Sequence, residues 1–111
     1  MNFPSIAVVG GTGNLGAAIA WRLARAGYPV VIGSRSADGA QKTAAELGHG
    51  LSGATNIDAA AGADIVIVTV PFAAQDATLR DIAPHVAGKI VVDTTVPLVP
   101  PKVMRVQLPA E

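Results

Sequence analysis

Three glycines stand close together near the start of the chain, at positions 11, 13 and 16. Their spacing is the G-x-G-x-x-G pattern, which combines a tight turn, an open backbone and a close contact between helix and strand. Such a loop can bind a diphosphate through the backbone N–H groups at the start of a helix. The alternative is a glycine turn that binds no ligand. The candidate binding residues are those of the loop: Gly11, Thr12, Gly13, Asn14, Leu15 and Gly16.

The segments on either side of the glycines have the pattern that this chemistry requires. Residues 5–10 form a short apolar run, which is typical of a strand buried on both faces. Residues 14–26 have apolar side chains at helical spacing, and these are predicted to face the core: Leu15, Ala18, Ile19, Leu23 and Ala26. Because the glycines follow a strand and open a helix, the context favours a dinucleotide site.

A second pair of polar residues follows the next predicted strand. Domains specific for NAD usually place an acid there, about 20 residues past the glycines, to bind the ribose hydroxyls. This chain has Ser34 and Arg35 instead, which can bind a 2′-phosphate through a hydroxyl and a guanidinium. The interpretation is a preference for NADP(H), and the alternative is that Arg35 is a solvated loop residue.

The rest of the chain alternates predicted strands with predicted helices. Strands are expected at residues 30–34, 51–55, 65–70 and 90–93. Helices are expected at residues 37–47, at 56–61 with Asn56 as the N-cap, and in a broken stretch ending near 86. This alternation predicts an α/β fold of the Rossmann type. Its doubly wound, mainly parallel sheet would have the order 3-2-1-4-5, with helices on both faces.

In that strand order, ligands lie beyond the carboxyl ends of strands one and four. Val70 and Pro71 leave strand four at this place and could flank the nicotinamide end, or they could simply end the strand. Asp93 is interpreted as a structural residue that satisfies loop N–H groups. Residues 1–95 are predicted to form the NADP-binding domain. Residues 96–111 are predicted to form a Pro-rich extended tail that leads toward an absent C-terminal portion.

Composition narrows the possible partners. The formal net charge is zero, which argues against nucleic acid or an anionic membrane as the main partner and permits a homo-oligomer. The chain has no cysteine, so it offers neither a thiol nucleophile nor a thiolate metal site, and a cytoplasmic location is expected. No pairing of nucleophile and base and no spacing of metal ligands is found, so neither catalytic nor metal-binding side chains are predicted.

Four segments together resemble NADPH-dependent reductases of the deazaflavin coenzyme F-420 (F420). They read IAVVGGTGNLG at 6–16, IGSR at 32–35, TVP at 69–71 and DTTVPLVPPKVMRVQLP at 93–109. The resemblance implies hydride transfer between NADPH and the deazaflavin ring, with residues 12–15 around the pyrophosphate. It also implies that Ser34 and Arg35 hold the 2′-phosphate and that Val70 and Val96 lie near the nicotinamide.

Two departures from that family bear on function. The family commonly has a basic residue in the first turn of the second helix, where this chain has Gly39, so the phosphate contact is expected to be weaker unless Lys42 reaches it. The resemblance also covers only about the first half of a family member. Three hypotheses therefore stay open: an oxidoreductase, a nucleotide-binding module without turnover, and a partner domain completed by association.

Overall fold

The computed structural model describes residues 3–10, 12–70 and 74–94, and within them five parallel strands form one sheet. The strands are β1 (Ile6–Val9), β2 (Val30–Ser34), β3 (Ser52–Thr55), β4 (Ile65–Val68) and β5 (Ile90–Asp93). The helices are α1 (Asn14–Arg25), α2 (Ala37–Leu47), α3 (Asn56–Gly62) and α4 (Gln75–Ile82), followed by a 3-10 turn, Ala83–His85. The strand order is β3-β2-β1-β4-β5, so the predicted fold class and order are confirmed.

The core lies on both faces of the sheet, because alternate residues of β1 pack against different helices. Ile6 and Val8 pack with residues of α1 and α2 on one face. Ala7 and Val9 pack with residues of α3 and α4 on the other. The helices contribute mainly alanines to these contacts: Ala20 and Ala24, Ala40 and Ala44, and Ala59 and Ala60. Because these side chains are short, the helices approach the sheet closely, and all four residues of β1 are buried.

The prediction of which α1 residues face the core was partly wrong. Leu15 is 53% exposed, and Ala18 and Ala26 are also exposed. The buried residues of this helix are Gly16, Ala20 and Ala24, which recur every fourth position. The smallest side chains therefore lie against the sheet, and the larger apolar ones, such as Leu23, flank the contact half-buried.

Two predicted boundaries also need correction. β4 ends at Val68 rather than at residue 70, and the N–H and the hydroxyl of Thr69 both donate to the carbonyl of Val9 at 2.9 Å. The N-cap of α3 is Thr55, whose Oγ1 accepts a hydrogen bond from the N–H of Asp58 at 3.2 Å. Asn56 is the first helical residue, so its side chain is available for a contact elsewhere.

Part of the domain division cannot be compared with the structure. The predicted tail, 96–111, lies outside the described residues, so the boundary at residue 95 stays a prediction. Within the described ranges, none of the helices has the length and apolar character needed to cross a membrane.

Candidate nucleotide-binding site

The carboxyl ends of the parallel strands place the predicted residues along one edge of the sheet. Val9 pairs in register with Gly33 of β2 and with Val68 of β4, so the segments that follow these three strands begin side by side. The edge therefore brings together the glycine loop, the β2–α2 turn and Val70. Three predicted site residues, Gly11, Pro71 and Val96, lie outside the described residues.

Gly10 forms the turn out of β1, and the structure requires a glycine there. Its φ is +79°, which side chains rarely allow. A Cβ at this position would lie 2.6 Å from Cγ1 of Val70 and 3.2 Å from the Val70 nitrogen. Val70 is itself buried against the turn. Val70 thus supports the start of the glycine loop, a role that sequence reasoning did not assign to it.

Gly13 differs from Gly10, because neither its backbone conformation nor its neighbours among the described residues require a glycine there. Its φ of −76° and ψ of 166° are extended values that any residue adopts. A Cβ would meet only the carbonyl oxygen of Gly10, at 3.7 Å, which is an ordinary contact. The residue is exposed, as are Thr12, Asn14 and Leu15. The site therefore presents bare backbone to solvent at the point where the glycine pattern expects a diphosphate.

The start of α1 is suited to an anion. In the described part of the chain this helix has neither a side-chain cap nor an acid in its first turn. By contrast, α2 and α3 are capped by Ser36 and Thr55, and each has an aspartate in its first turn. The first N–H groups of a helix lack partners within it and form its positive end, so α1 offers donors to a bound negative charge.

The β2–α2 turn carries Ser34 and Arg35 beside this loop. Ser34 is half-buried, and its Oγ accepts a hydrogen bond from the N–H of Ser36 at 3.4 Å, which leaves its hydroxyl hydrogen able to donate. Arg35 is exposed. Ser36 caps α2 through the N–H of Gly39 at 3.3 Å. A hydroxyl and a guanidinium can thus reach the same anion from a turn fixed by local hydrogen bonds.

The ends of β4 and β5 are also fixed by hydrogen bonds. The hydroxyl of Thr94 donates to the carbonyl of Val68 at 2.9 Å. The side-chain amide of Gln75, at the start of α4, donates to a carboxylate oxygen of Asp93. This contact agrees with the interpretation of Asp93 as a structural residue.

Comparison with known proteins identifies a family that matches most of the chain. The sequence model of the family described as "NADP oxidoreductase coenzyme F420-dependent" matches residues 5–97. This chain belongs to that family. The F420-dependent NADP reductase of Methanothermobacter thermautotrophicus is 47% identical over 100 residues, covering 84% of this chain. The corresponding protein of Methanothermobacter marburgensis is 44% identical over 100 residues, with the same share of this chain.

Solved structures are similar over the same region. A provisionally named F420-dependent NADP reductase from Arthrobacter sp. FB24 has a TM-score of 0.76 and 33% identity, covering 96% of this chain and 52% of that one. An NADH-preferring ketol-acid reductoisomerase from an uncultured archaeon has a TM-score of 0.69 and 31% identity, covering 82% of this chain and 29% of that one. The family member described here spans only 43% and 45% of the two curated relatives' lengths.

Trp21 lies outside the candidate site and packs against its neighbours. Trp21 contacts two neighbours, with the Arg25 guanidinium 5.1 Å from its ring centroid and the His49 ring edge-on at 5.7 Å. These residues lie on the outer part of α1 and in the loop before β3. In the described ranges, no group of three His, Asp or Glu residues could hold a metal ion.

Sequence reasoning missed Asn56 as a residue of this edge. Its Oδ1 accepts a hydrogen bond from the N–H of Gly10 at 3.2 Å. The two residues are 46 positions apart, so no local pattern could reveal the contact. The only signal was an asparagine at the carboxyl end of a strand, and the prediction assigned it to a helix cap.

Proposed function

We propose that this chain binds NADP(H) and forms the nucleotide-binding part of an oxidoreductase that transfers a hydride between NADP(H) and F420. The observation that carries the proposal is Gly13. Neither its backbone conformation nor its neighbours among the described residues require a glycine, and room for a ligand at the backbone accounts for the absent side chain. The names of the family and of its curated relatives supply the redox partner.

The residues present fit both charged groups of NADP(H), the pyrophosphate and the 2′-phosphate. The pyrophosphate would lie against the backbone of residues 11–16, at the uncapped start of α1. The 2′-phosphate would bind Ser34 and Arg35, since no acid stands at the end of β2 to repel it. Val70, Pro71 and Val96 are proposed for the nicotinamide side.

The chemistry is that of the cofactors, and the protein's part is to hold them. When bound, NADPH supplies a hydride, and the deazaflavin ring takes up this hydride together with a proton. The glycine loop, the Arg35 guanidinium and Val70 would together fix the position of the dinucleotide. No side chain of this chain is assigned as a general base.

Replacing Arg35 with alanine is expected to weaken NADPH binding by ~1.5–3 kcal/mol, roughly a 10- to 150-fold rise in Kd, because a charged hydrogen bond is lost. NADH lacks the 2′-phosphate, so its Kd should change little. Isothermal titration of both nucleotides measures the difference.

The matched control for Arg35 is Arg80→Ala, another exposed arginine, which lies in the last turn of α4. Helix α4 runs back from the carboxyl edge of the sheet, so its last turn lies away from the site. Equal losses for NADPH and NADH in the Arg35 variant would reject its assignment to the 2′-phosphate.

Adding a lysine at position 39 is expected to tighten NADPH binding by about three- to fivefold, the size of an exposed charge pair. A Cβ there would meet only Ser36, at 3.8 Å, so the side chain fits. The Kd for NADPH should fall while that for NADH stays constant. Gly39→Ala is the control, since it makes the same change in helix propensity without the charge. If both variants bind NADPH equally well, residue 39 does not face the 2′-phosphate.

A second candidate is a nucleotide-binding module that does not turn over alone. The chain spans less than half of its curated relatives, and Ile90, Val91 and Val92 of the edge strand β5 are exposed apolar residues. Hydride transfer requires both rings in a near-attack geometry, which takes surfaces on both sides of the cleft.

One assay separates the two candidates. The purified chain is mixed with NADPH and oxidised F420, and the loss of deazaflavin absorbance is followed. Turnover supports the oxidoreductase, and NADPH binding without turnover supports the module. Failure to bind NADPH at saturating concentrations would exclude both.

A further inference from the structure

Asn56 contacts both strands from whose ends the proposed nucleotide site is built. It is the first residue of α3, immediately after β3. Thr55 caps this helix, so the Asn56 amide is not needed for that purpose. The side chain instead reaches across to β1 and β2. Asparagine at such a position has a role that helix formation does not explain.

The contact with β1 is a hydrogen bond at the start of the glycine loop. The N–H of Gly10 donates both to Oδ1 of Asn56, at 3.2 Å, and to the carbonyl of Gly33, at 3.0 Å. Gly10 is the left-handed turn residue from which the loop departs. A shared N–H of this kind holds the peptide plane in one orientation, because both acceptors constrain the same hydrogen.

The contact with β2 is steric. A Cβ on Gly33 would lie 2.9 Å from Oδ1 of Asn56 and 3.2 Å from its Cα. Gly33 is buried and directly precedes Ser34 and Arg35. Asn56 therefore occupies the space that only a glycine at 33 leaves open, and it touches the strand just before the two proposed phosphate-binding residues.

We infer that Asn56 is a positioning residue that sets the glycine loop in register with the β2–α2 turn, so that one dinucleotide can meet both at once. This inference rests on the proposed function. The residue acts through Gly10 and Gly33 and does not contact the ligand. Its loss leaves both binding segments intact and disturbs their relative placement, which lowers the advantage of binding through two linked groups.

The test compares ligands that use both segments or only one of them. NADPH uses the glycine loop and the turn, NADH lacks the 2′-phosphate, and adenosine 2′-monophosphate lacks the diphosphate. For Asn56→Ala, we expect the preference for NADPH over NADH, measured as the ratio of the NADH Kd to the NADPH Kd, to fall about five- to tenfold. The Kd for each of the other two ligands should change less than about threefold. Asn56→Ser, which keeps a polar side chain, provides a second variant should the alanine variant fold poorly.

A matched control and an independent readout complete the design. Thr55→Val removes the neighbouring cap of α3 and destabilises the same helix, but it should leave the preference between nucleotides unchanged. Hydrogen exchange of the Gly10 amide, measured without ligand, should become faster in both Asn56 variants and not in Thr55→Val.

The outcomes distinguish this inference from the proposed function. If the wild-type chain does not bind NADPH, the proposed function is wrong and the inference falls with it. If the wild type binds and Asn56→Ala keeps the full preference for NADPH, only the inference is wrong. An equal loss for adenosine 2′-monophosphate would mean that Asn56 contacts the phosphate itself, which also overturns the positioning role.

Discussion

Replacing Gly13 with alanine is expected to raise the Kd for NADPH about 100-fold or more, because a methyl group would stand between the backbone and the pyrophosphate. The stability of the protein should change much less than the binding, since only the N-cap preference of α1 is lost. The backbone at Gly13 is extended, and the nearest atom to the new Cβ is the Gly10 oxygen at 3.7 Å. The substitution thus separates binding from folding more sharply than Gly10→Ala, whose Cβ would lie 2.6 Å from Cγ1 of Val70.

Stability and nucleotide binding of the Gly13→Ala variant are measured separately. Urea unfolding followed by circular dichroism should give a free energy of unfolding lower than that of the wild type by no more than about 1 kcal/mol, because Gly13 is the N-cap of α1 and alanine is less favourable there than glycine. Isothermal titration should show the loss for NADPH and for NADH alike, since both carry the diphosphate. Gly10→Ala is expected to behave differently, because its Cβ would collide with Val70 and its φ is positive, so that variant loses stability as well.

Gly62→Ala serves as the control for the same chemical change at another helix terminus. Position 62 is the last residue of α3, and a Cβ there meets nothing within 4 Å. Both stability and nucleotide binding should stay near wild-type values. If Gly13→Ala still binds NADPH with a Kd within about threefold of the wild type, the diphosphate does not rest on this loop and the proposed function fails.

The strand order could be predicted because it depends on local patterns, and the place of the candidate site was inferred from that order. The run before Gly10 and the run around Val66 are short, apolar and ended by turn residues, which is enough to identify buried parallel strands. Once the order was assumed, the position of Ser34 and Arg35 beside the glycine loop followed from the topology alone.

Contacts between distant segments could not be predicted in this way. The hydrogen bond from Gly10 to Asn56 links residues on two different strand–helix connections, and in the sequence alone an asparagine there is equally typical of a helix cap. Likewise, helical spacing in α1 fits two adjacent faces. The face containing Gly16 and Ala20 packs inward because only small side chains allow the helix to lie close to the sheet.

Gly53 is the position where a substitution is expected to damage the fold most. It lies in β3, where this strand packs against α2. A Cβ on Gly53 would lie 2.3 Å from the carbonyl carbon of Ala40, 2.4 Å from the nitrogen of Gln41 and 2.5 Å from the Ala40 oxygen. These are backbone atoms of a helix whose Ala40 and Ala44 are buried against the sheet. No rotation of a side chain can relieve the overlap, so the helix as a whole would have to move.

Gly53→Ala is therefore expected to lower the free energy of unfolding by about 3 kcal/mol or more, at the upper end of the cost of overpacking. That is a large fraction of the roughly 5–15 kcal/mol that stabilises a typical domain. Urea unfolding followed by circular dichroism measures the change, with thermal unfolding as a second readout. The sign is informative, since alanine is otherwise favoured over glycine within a strand by roughly 0.5–1 kcal/mol.

Gly39→Ala is the matched control, because it makes the same substitution on α2 itself. There the new Cβ lies 3.8 Å from Ser36 and meets no backbone, so the variant should gain up to about 1 kcal/mol from helix propensity. Opposite signs at positions 39 and 53 are the expected result. If Gly53→Ala proves as stable as the wild type, α2 does not lie against β3 at this distance, and the close packing of this helix on the sheet has to be abandoned.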